Sequence, residues 1–597
     1  MCSFRRAHQG DFMRLIFTFV LLYVAQVAAA HAETSVQYAL SPVMNAKGLV
    51  GLNVEMRFDG EDDGDTVLLL PNEWGGKTKL YEGLRDLKIA GGDVVASGDP
   101  AKRIVRHRPR AKLFVSYRVV QNWPGEPKAE GANEYRPIVQ PGYFHVLGNA
   151  VFITPERDDD PPASFELKSL PPGWSFASDL EHSTMGRTLV LRDMVESVLV
   201  GGDFRVLKRS NVRVALRGKW PFSDEAFADR LQPIIDSHHR FWGDPPEPFL
   251  VTALPLTGES GSTSVGGTGR DDGFAFFATA DAEDALLNRL LAHEHLHTWI
   301  PRRLGAMPEH DEAADYWLSE GFTDFYTARL LLRDGLWGLK KFTDELNEAL
   351  RAYAASSVRT VPNAKIIKDF WTDSNTQQLP YLRGQLLAMR WDHMLLQASD
   401  GARDLDDVVL AMKAQLKASP DSKALATELF AAQMQKAGVD VTSDLAALVR
   451  DGGGVLLAEA IFAPCGEVET FDVAEFDRGF DADKTALNEN VIVGLREDSP
   501  GYRAGLRNGM KIVKREAGKP GDSRVALTYR VLDGGNERLI TFLPEGSRRL
   551  TMQELVLESG MDEGERKVCV ARLSGMAEQK ELGFWSGFGR LFSSESR

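Results

Sequence analysis

The sequence has no hydrophobic run long enough to cross a membrane as a helix. Its most apolar stretch, Leu15–Val27, falls short of the roughly 20 residues that a transmembrane helix needs. Arginines precede this stretch, and Ala30-His31-Ala32 after it offers an A-x-A cleavage site. This order is typical of a secretory signal peptide. We therefore predict that residues 1–32 are removed, that no stable membrane span remains, and that the mature chain is exported to a bacterial periplasm.

Positive charge is also in deficit. The chain has 70 Lys and Arg residues against 85 Asp and Glu residues, which gives a net charge of −15. The predicted signal peptide carries three Arg and one Asp, so its removal leaves −15 − 2 = −17. A strongly acidic exported protein repels nucleic acid, and we exclude nucleic acid as a partner.

Cysteine is scarce as well, with three residues in the whole chain. Cys2 belongs to the predicted signal peptide, so the mature chain keeps Cys465 and Cys569. An even pair in an oxidising compartment is compatible with a disulfide bond. Two buried free thiols are the alternative.

The most informative stretch that the sequence does contain is H-E-x-x-H, formed by His293, Glu294 and His297. Residues four apart share one face of a helix, and the surrounding segment 284–299 has no Gly or Pro and recurrent leucines. Two imidazoles on one helix face provide half of a tetrahedral Zn2+ site. Glu294 is then placed to take a proton from an attacking water. The pattern alone also fits a solvated helix with a polar face.

A second helical run, which begins near Trp317 and ends near Gly335, favours the metal site. It carries Glu320, 23 residues after His297, which leaves room for a loop and a returning helix. With Glu320 as third protein ligand, the fourth position stays open, as in catalytic zinc sites. Asp324, one turn further along, is predicted to accept the second ring N–H of a ligating histidine.

Together these two motifs resemble the gluzincin metallopeptidases, in particular the glycyl aminopeptidase family, in which a PDZ domain follows the catalytic domain. The resemblance covers most of residues 40–575. It implies a thermolysin-like, mainly helical catalytic domain, bound zinc, and hydrolysis of a peptide or protein substrate as an aminopeptidase.

A tyrosine further along the chain also belongs to the resemblance. Tyr381-Leu382-Arg383-Gly384 is similar to the Y-x-K-G element of the family, with Arg383 in place of Lys. The resemblance implies that Tyr381, near the start of a helix at Pro380, donates its hydroxyl to the oxyanion of the reaction.

The chain therefore reads as a multidomain α+β protein. We assign residues 33–205 to a β-rich N-terminal domain, 206–455 to the catalytic domain, 456–575 to a PDZ-like β domain and 576–597 to a tail.

The segment Ser499–Ile512 resembles the PDZ signature S-P-A-x-x-A-G-L-x-x-G-D-x-I, except that Met510 replaces Asp. The resemblance implies a possible peptide ligand for this domain, and Val491–Arg496 is expected to form a strand.

The Gly-rich segment 258–273 is expected to be a loop, followed by a strand over 274–279 whose edge could bind an extended peptide. Aminopeptidases of the family carry a G-G-x-E-H element here, whose Glu binds the free α-ammonium group of the substrate. This chain instead has Gly266-Gly267-Thr268-Gly269-Arg270, so the carboxylate is missing.

The missing carboxylate leaves two alternatives. Asp271, Asp272 or Glu259 could replace it, or Arg270 could disfavour a free N-terminus and make the protein an endopeptidase. A rival from another class is a non-catalytic periplasmic protein that binds partners through its PDZ-like domain. The complete ligand set and the intact Glu294 argue against that rival.

Overall fold

The computed structural model describes residues 35–575, apart from 130–132, 182–187, 259–262, 271, 283 and 420–421. The predicted signal peptide and the predicted tail at 576–597 lie outside these described residues. Within the described part, no helix combines the length and apolar character needed to span a bilayer.

Contacts divide the chain into two compact units. The first comprises the described residues up to Gln232 together with Pro246–Leu287, and the second comprises Pro233–Pro245 and the described residues from Asn288 onwards. The first unit is rich in strands and the second is mainly helical, as the predicted α+β class requires. Residues 206–232 and 246–287 group with the β-rich unit, whereas the sequence analysis assigned them to the catalytic domain. The predicted domain boundaries themselves stay predictions.

The strands of the first unit follow the alternation of apolar and polar residues. Along Lys112–Val119, for example, every second side chain is buried, as expected for a sheet with one face on the core. A short helix, α1, spans Leu191–Val195. The strands are β1 Val36–Asn45, β2 Gly48–Asp59, β3 Asp65–Leu69, β4 Leu84–Ala90, β5 Asp93–Val95, β6 Lys102–Arg106, β7 Lys112–Val119, β8 Ile138–Gln140, β9 Tyr143–Leu147, β10 Thr154–Pro155, β11 Pro162–Leu167, β12 Ser175–Ser178, β13 Leu189–Val190, β14 Val198–Gly202, β15 Arg205–Arg209, β16 Val212–Leu216, β17 Phe249–Leu256, β18 Val265–Gly269 and β19 Gly273–Thr279.

These strands form four sheets. Three of them have the orders β13-β11-β1-β2-β7-β4, β10-β3-β6-β5 and β12-β14-β9-β8. The fourth has the order β15-β16-β17-β19-β18. Two expectations for this fourth sheet were wrong. The Gly-rich segment contains a strand, β18, and β19 is paired on both sides, so β18 and not β19 lies at the edge.

Helices form most of the second unit, and their apolar faces share one core. Trp317, Phe322, Trp391 and Phe430 lie at its centre, all with less than a tenth of their surface exposed. The helices, including two that begin in the first unit, are α2 Asp224–Trp242, α3 Asp284–Leu296, α4 Tyr316–Arg333, α5 Leu339–Ala355, α6 Asn363–Asp369, α7 Ser374–Ala398, α8 Leu405–Ala418, α9 Ala426–Lys436 and α10 Thr442–Asp444, which continues as a π-helical stretch over Leu445–Arg450.

The last part of the second unit returns to strands. Asp533-Gly534-Gly535 forms a hairpin turn, since Asp533 pairs with Asn536 and both glycines have positive φ. The elements are β20 Gly466–Phe476, α11 Ala482–Leu487, α12 Pro500–Arg503, β21 Lys511–Ala517, β22 Leu527–Asp533, β23 Asn536–Phe542, β24 Glu545–Leu557 and α13 Glu563–Ser574. The strand expected over Val491–Arg496 is reduced to a single bridge between Val491 and Lys511.

Cys465, just before β20, and Cys569, on α13, form a disulfide bond. Of the two alternatives, a disulfide bond or two buried free thiols, the structure has the disulfide bond. The strands β20 and β24 pair with each other, and β21, β22 and β23 form a separate small sheet.

Candidate metal centre

Three of the predicted ligands come together in the second unit. His293 Nε2 lies 3.2 Å from Glu320 Oε2 and 3.2 Å from His297 Nε2, and His297 Nε2 lies 3.4 Å from Glu320 Oε2. Ligand atoms about 2.0–2.1 Å from a tetrahedral zinc ion are about 3.3 Å apart. The three donor atoms therefore fit a tetrahedral metal ion, with its fourth position left to water or substrate.

The local fold explains how His297 reaches this group. The helix α3 ends at Leu296, three residues before the predicted Trp299. The chain nevertheless keeps turning, because the N–H of His297 bonds to the carbonyl of Glu294 at 3.2 Å. Such a tightened last turn is common at helix ends. It keeps His293 and His297 on one side, as the i, i+4 spacing requires.

Electrostatics also favour a cation at this position. Burial lowers the pKa of His293, but hydrogen bonds to Asp324 and Glu320 outweigh that effect and raise the pKa to about 10. Burial raises the pKa of Glu320, yet the two histidines lower it far below its ordinary range. Each group thus stabilises the charge of its neighbours, and a divalent ion satisfies the same requirement without protonating the histidines.

A second layer of contacts fixes both imidazoles. His293 Nδ1 lies 2.9 Å from Asp324 Oδ1, and His297 Nδ1 lies 2.8 Å from the carbonyl oxygen of Ile300. These contacts require the proton on Nδ1 and leave each Nε2 lone pair for a metal. The structure thus brings Asp324 to the place that the sequence analysis predicted.

Sequence analysis missed Arg289, which extends this layer. Its Nη2 donates to Asp324 Oδ1 at 2.9 Å, and its Nε lies 3.3 Å from Glu345 Oε2. Arg289 stands one turn before His293 on α3, so its spacing was a readable signal. Burial raises the pKa of the Asp324 carboxyl group, but the Arg289 charge and the hydrogen bond to His293 outweigh this effect and lower it, so the carboxylate stays ionised.

The third histidine of the stretch, His295, faces the other way. It stacks on His238 with ring centroids 5.0 Å apart and the two Nδ1 atoms 2.8 Å apart. Burial lowers the pKa of both rings. His295 therefore belongs to the packing of α3 against α2 within the second unit.

A close crossing of α4 and α7 brings Tyr381 to the centre. Gly321 and Gly384 meet at the crossing, where a Cβ on Gly384 would collide with the carbonyl oxygen of Trp317. Gly321 follows the ligand Glu320 directly, and Gly384 lies one turn after Tyr381. The absence of two Cβ atoms thus sets the distance between the tyrosine and the ligand.

Tyr381 itself lies over the ligands. Its ring stacks near that of His293, with centroids 6.0 Å apart. Burial, followed by the charges of Glu320, Glu294 and Asp324, raises the pKa of the hydroxyl well above its ordinary value. The helix that carries it begins at Ser374 with Asp373 as N-cap, so Pro380 lies inside α7 and does not start it.

The neighbouring Arg383 does not take part in the centre. Its side chain is fully buried, and its Nη2 donates to the carbonyls of Arg359 at 3.1 Å and Val361 at 2.8 Å. The Arg in place of the family's Lys therefore holds the loop before α6.

The predicted substrate loop lies in the first unit. Gly266 and Gly267 form part of the edge strand β18, and Gly267 accepts a hydrogen bond from Tyr135 at 3.1 Å. Arg270 is buried: its Nη2 lies 3.5 Å from a Glu196 carboxylate oxygen, and its guanidinium stands 4.8 Å from the Trp74 ring centroid. Arg270 is thus compensated within its own unit, which does not support the predicted repulsion of a free N-terminus.

Of the three carboxylates considered as substitutes, only Asp272 is among the described residues. Its charge acts on buried Asp179, together with that of Arg270. Glu259 and Asp271 lie outside the described residues. Within the second unit, sequence analysis overlooked two further groups near the ligands, Glu312 and Tyr316, because they belong to no motif.

The chain is similar to known proteins. Residues 287–386, which contain the whole centre, match the family model described as M61 glycyl aminopeptidase. The resemblance to the glycyl aminopeptidase family is confirmed. A comparison with curated proteins finds no match.

Among solved structures, the chain is similar to an aminopeptidase N family protein from Idiomarina loihiensis. The two are 16% identical, the match covers 90% of this chain and 100% of the other, and the TM-score is 0.62. The chain is also similar to an M1 zinc metallopeptidase from Deinococcus radiodurans, at 18% identity, 71% and 95% coverage and a TM-score of 0.44. The first likeness shows a shared fold with a β-rich N-terminal part and a helical C-terminal part.

Proposed function

We propose that this chain is an exported zinc metallopeptidase, and more narrowly an aminopeptidase of the glycyl aminopeptidase type. The observation that carries the proposal is the set of three donor atoms, 3.2–3.4 Å apart, on His293, His297 and Glu320. Two neutral imidazoles and one carboxylate are the usual ligands of a catalytic zinc site. The family match supports a peptide as substrate.

The roles of the surrounding residues follow from their chemistry. Bound zinc would supply Lewis acidity toward the peptide carbonyl and would lower the pKa of water. Glu294, half-buried beside His293, is the general base that takes the proton of the attacking water and passes it to the leaving amine. Tyr381, protonated because its pKa is raised, donates its O–H to the developing oxyanion.

The choice between aminopeptidase and endopeptidase rests on the N-terminus of the substrate. The family match favours the aminopeptidase. The missing carboxylate in the Gly266–Arg270 segment favours an endopeptidase. Matched peptides with free and acetylated N-termini distinguish the two. An aminopeptidase requires the free amine, whereas equal cleavage of the acetylated peptide at an internal bond would exclude that assignment.

Export is supported by the signal-like N-terminus and by the Cys465–Cys569 disulfide, because such bonds persist in oxidising compartments. The PDZ-like domain over 456–575 and a peptide ligand for it remain part of the proposal. They are supported by the signature at Ser499–Ile512. A non-catalytic binding protein is the alternative, and the complete donor set speaks against it.

The zinc assignment is tested by metal content and turnover in two variants. Glu294→Gln should bind about one zinc per chain and lose turnover, because the base is removed while the ligands stay. Glu320→Gln should bind zinc more weakly, since a neutral amide replaces an anionic ligand. A chelator should abolish turnover of the wild type, and added zinc should restore it. A Glu294→Gln variant that kept most of its activity would contradict the assigned base.

A further inference from the structure

Glu312 is a carboxylate whose charge interacts with that of the predicted ligand Glu320. It begins the 3-10 turn Glu312–Ala314, which leads through Asp315 into α4, and its side chain is exposed. Its one hydrogen bond comes from the Tyr316 hydroxyl, 3.2 Å from Glu312 Oε2. Within the described residues, no Lys, Arg or His lies within ion-pair distance of it.

Tyr316 connects this carboxylate to the ligands. It stands four residues before Glu320 on α4, which places the two side chains on one helix face about 6 Å apart along the axis. The Tyr316 ring is held by Phe370, with centroids 4.7 Å apart. Glu312, Tyr316 and Glu320 therefore follow one another along the same side of the helix start.

Three other carboxylates near the ligands already face Arg, Lys or His side chains. Asp324 binds Arg289, and Glu345 binds Arg289 and Lys341. Glu320 faces the two histidines. Glu312 instead lies within the electrostatic influence of a second anion, Glu320. Partial desolvation by the surrounding protein raises the pKa of the Glu312 carboxyl group. The hydrogen bond from the Tyr316 hydroxyl opposes this rise, and the charge of Glu320 adds to it.

A carboxylate that has no ion-pair partner among the described residues is stabilised by a cation that arrives with the substrate. A peptide with a free N-terminus carries such a cation two bonds from the carbonyl carbon that is attacked. We propose that Glu312 binds the α-ammonium group of the N-terminal substrate residue, with Tyr316 as a positioning residue that orients the carboxylate. This inference rests on the aminopeptidase form of the proposed function.

The test compares peptides that differ only in a free or acetylated N-terminus. In Glu312→Gln, the ratio of kcat/KM for the free peptide to that for the acetylated peptide should fall by about 10- to 100-fold, mostly through KM. Glu312→Asp, which keeps the charge, should retain most of the ratio. Tyr316→Phe should lower it several-fold, because the carboxylate remains but loses its orienting hydroxyl.

Glu309→Gln is the matched control. Glu309 lies three residues earlier, is exposed, and has no hydrogen bond or ion pair within the described residues. This variant should keep the wild-type ratio of kcat/KM values. All four variants should keep the zinc content and melting temperature of the wild type. A Glu312→Gln ratio within twofold of wild type would overturn the role of Glu312 and leave the aminopeptidase assignment intact. Equal cleavage of both peptides by the wild type would overturn the assignment itself, and this inference with it.

Discussion

At the scale of single residues, the Tyr381 hydroxyl is held as a hydrogen-bond donor. Its raised pKa keeps it protonated at neutral pH, and its ring packs near that of His293, with centroids 6.0 Å apart. We expect Tyr381→Phe to lose about 10²–10³-fold in kcat, because one oxyanion donor disappears. Zinc content and circular dichroism should not change, since the ring that packs near His293 remains. A variant within twofold of wild type would remove Tyr381 from the mechanism.

Asp179 gives the first unit a pH dependence of its own. Burial raises its pKa from 3.8 to about 7, although the Val198 N–H, 3.0 Å from Oδ1, opposes the rise. Between these two values the folded protein holds a proton that the unfolded chain has released. The free energy of unfolding therefore falls as pH rises from about 4 to 7, and this contribution is fully lost above pH 7.

Asp179→Asn removes this titration and keeps an oxygen for the Val198 N–H. Relative to wild type, the variant should gain stability between pH 4.5 and pH 8, by roughly 3 kcal/mol from linkage. Denaturant unfolding at the two pH values measures the gain. Asp158→Asn makes the same change at an exposed position and should show no such trend. An Asp179→Asn curve parallel to wild type would show that Asp179 titrates normally.

At the scale of elements, the crossing of α4 and α7 decides the geometry of the centre. Gly384→Ala should separate the two helices, because the new Cβ collides with the Trp317 carbonyl. We expect a loss of about 1–3 kcal/mol in stability and a larger loss in kcat, since Tyr381 moves with α7. Gly338→Ala is the control, because a Cβ there meets open space. Wild-type turnover in Gly384→Ala would mean that the crossing tolerates displacement.

The sequence predicted α3 and α4 to within three residues because their apolar positions recur at helical spacing over several turns. It did not predict β18, because Gly266, Gly267 and Gly269 have no side chains from which a pattern could be read. Their extended conformation comes from pairing with β19, which is a tertiary effect. For the same reason, a motif search could find the ligands but not Glu312, whose place depends on the turn before α4.

At the scale of the whole molecule, composition and periodicity predicted a β-rich part followed by a helical part. They could not predict that residues 206–232 group with the β-rich unit, because contacts between strands distant in sequence decide that grouping. Nor did they show that the chain returns after β24 to the metal helices. There α13 packs on α4, and Arg333 Nε donates to the carbonyl of Ser574 at 2.9 Å.

The Cys465–Cys569 disulfide links α13 to the residue before β20. It closes a segment of 104 residues, which contains both small sheets, at the point where α13 meets the helical core. Because closure of a long loop restricts the unfolded chain, its loss should cost about 2–5 kcal/mol. We expect reductant to lower the guanidinium chloride midpoint of the wild type by a corresponding amount. A Cys569→Ala variant should start at that lower midpoint and not respond to reductant.

Zinc should be released over the same denaturant range, since α13 packs on the helix that carries Glu320. Two thiols that label without reductant, with an unchanged midpoint, would show that the bond does not form in the mature protein.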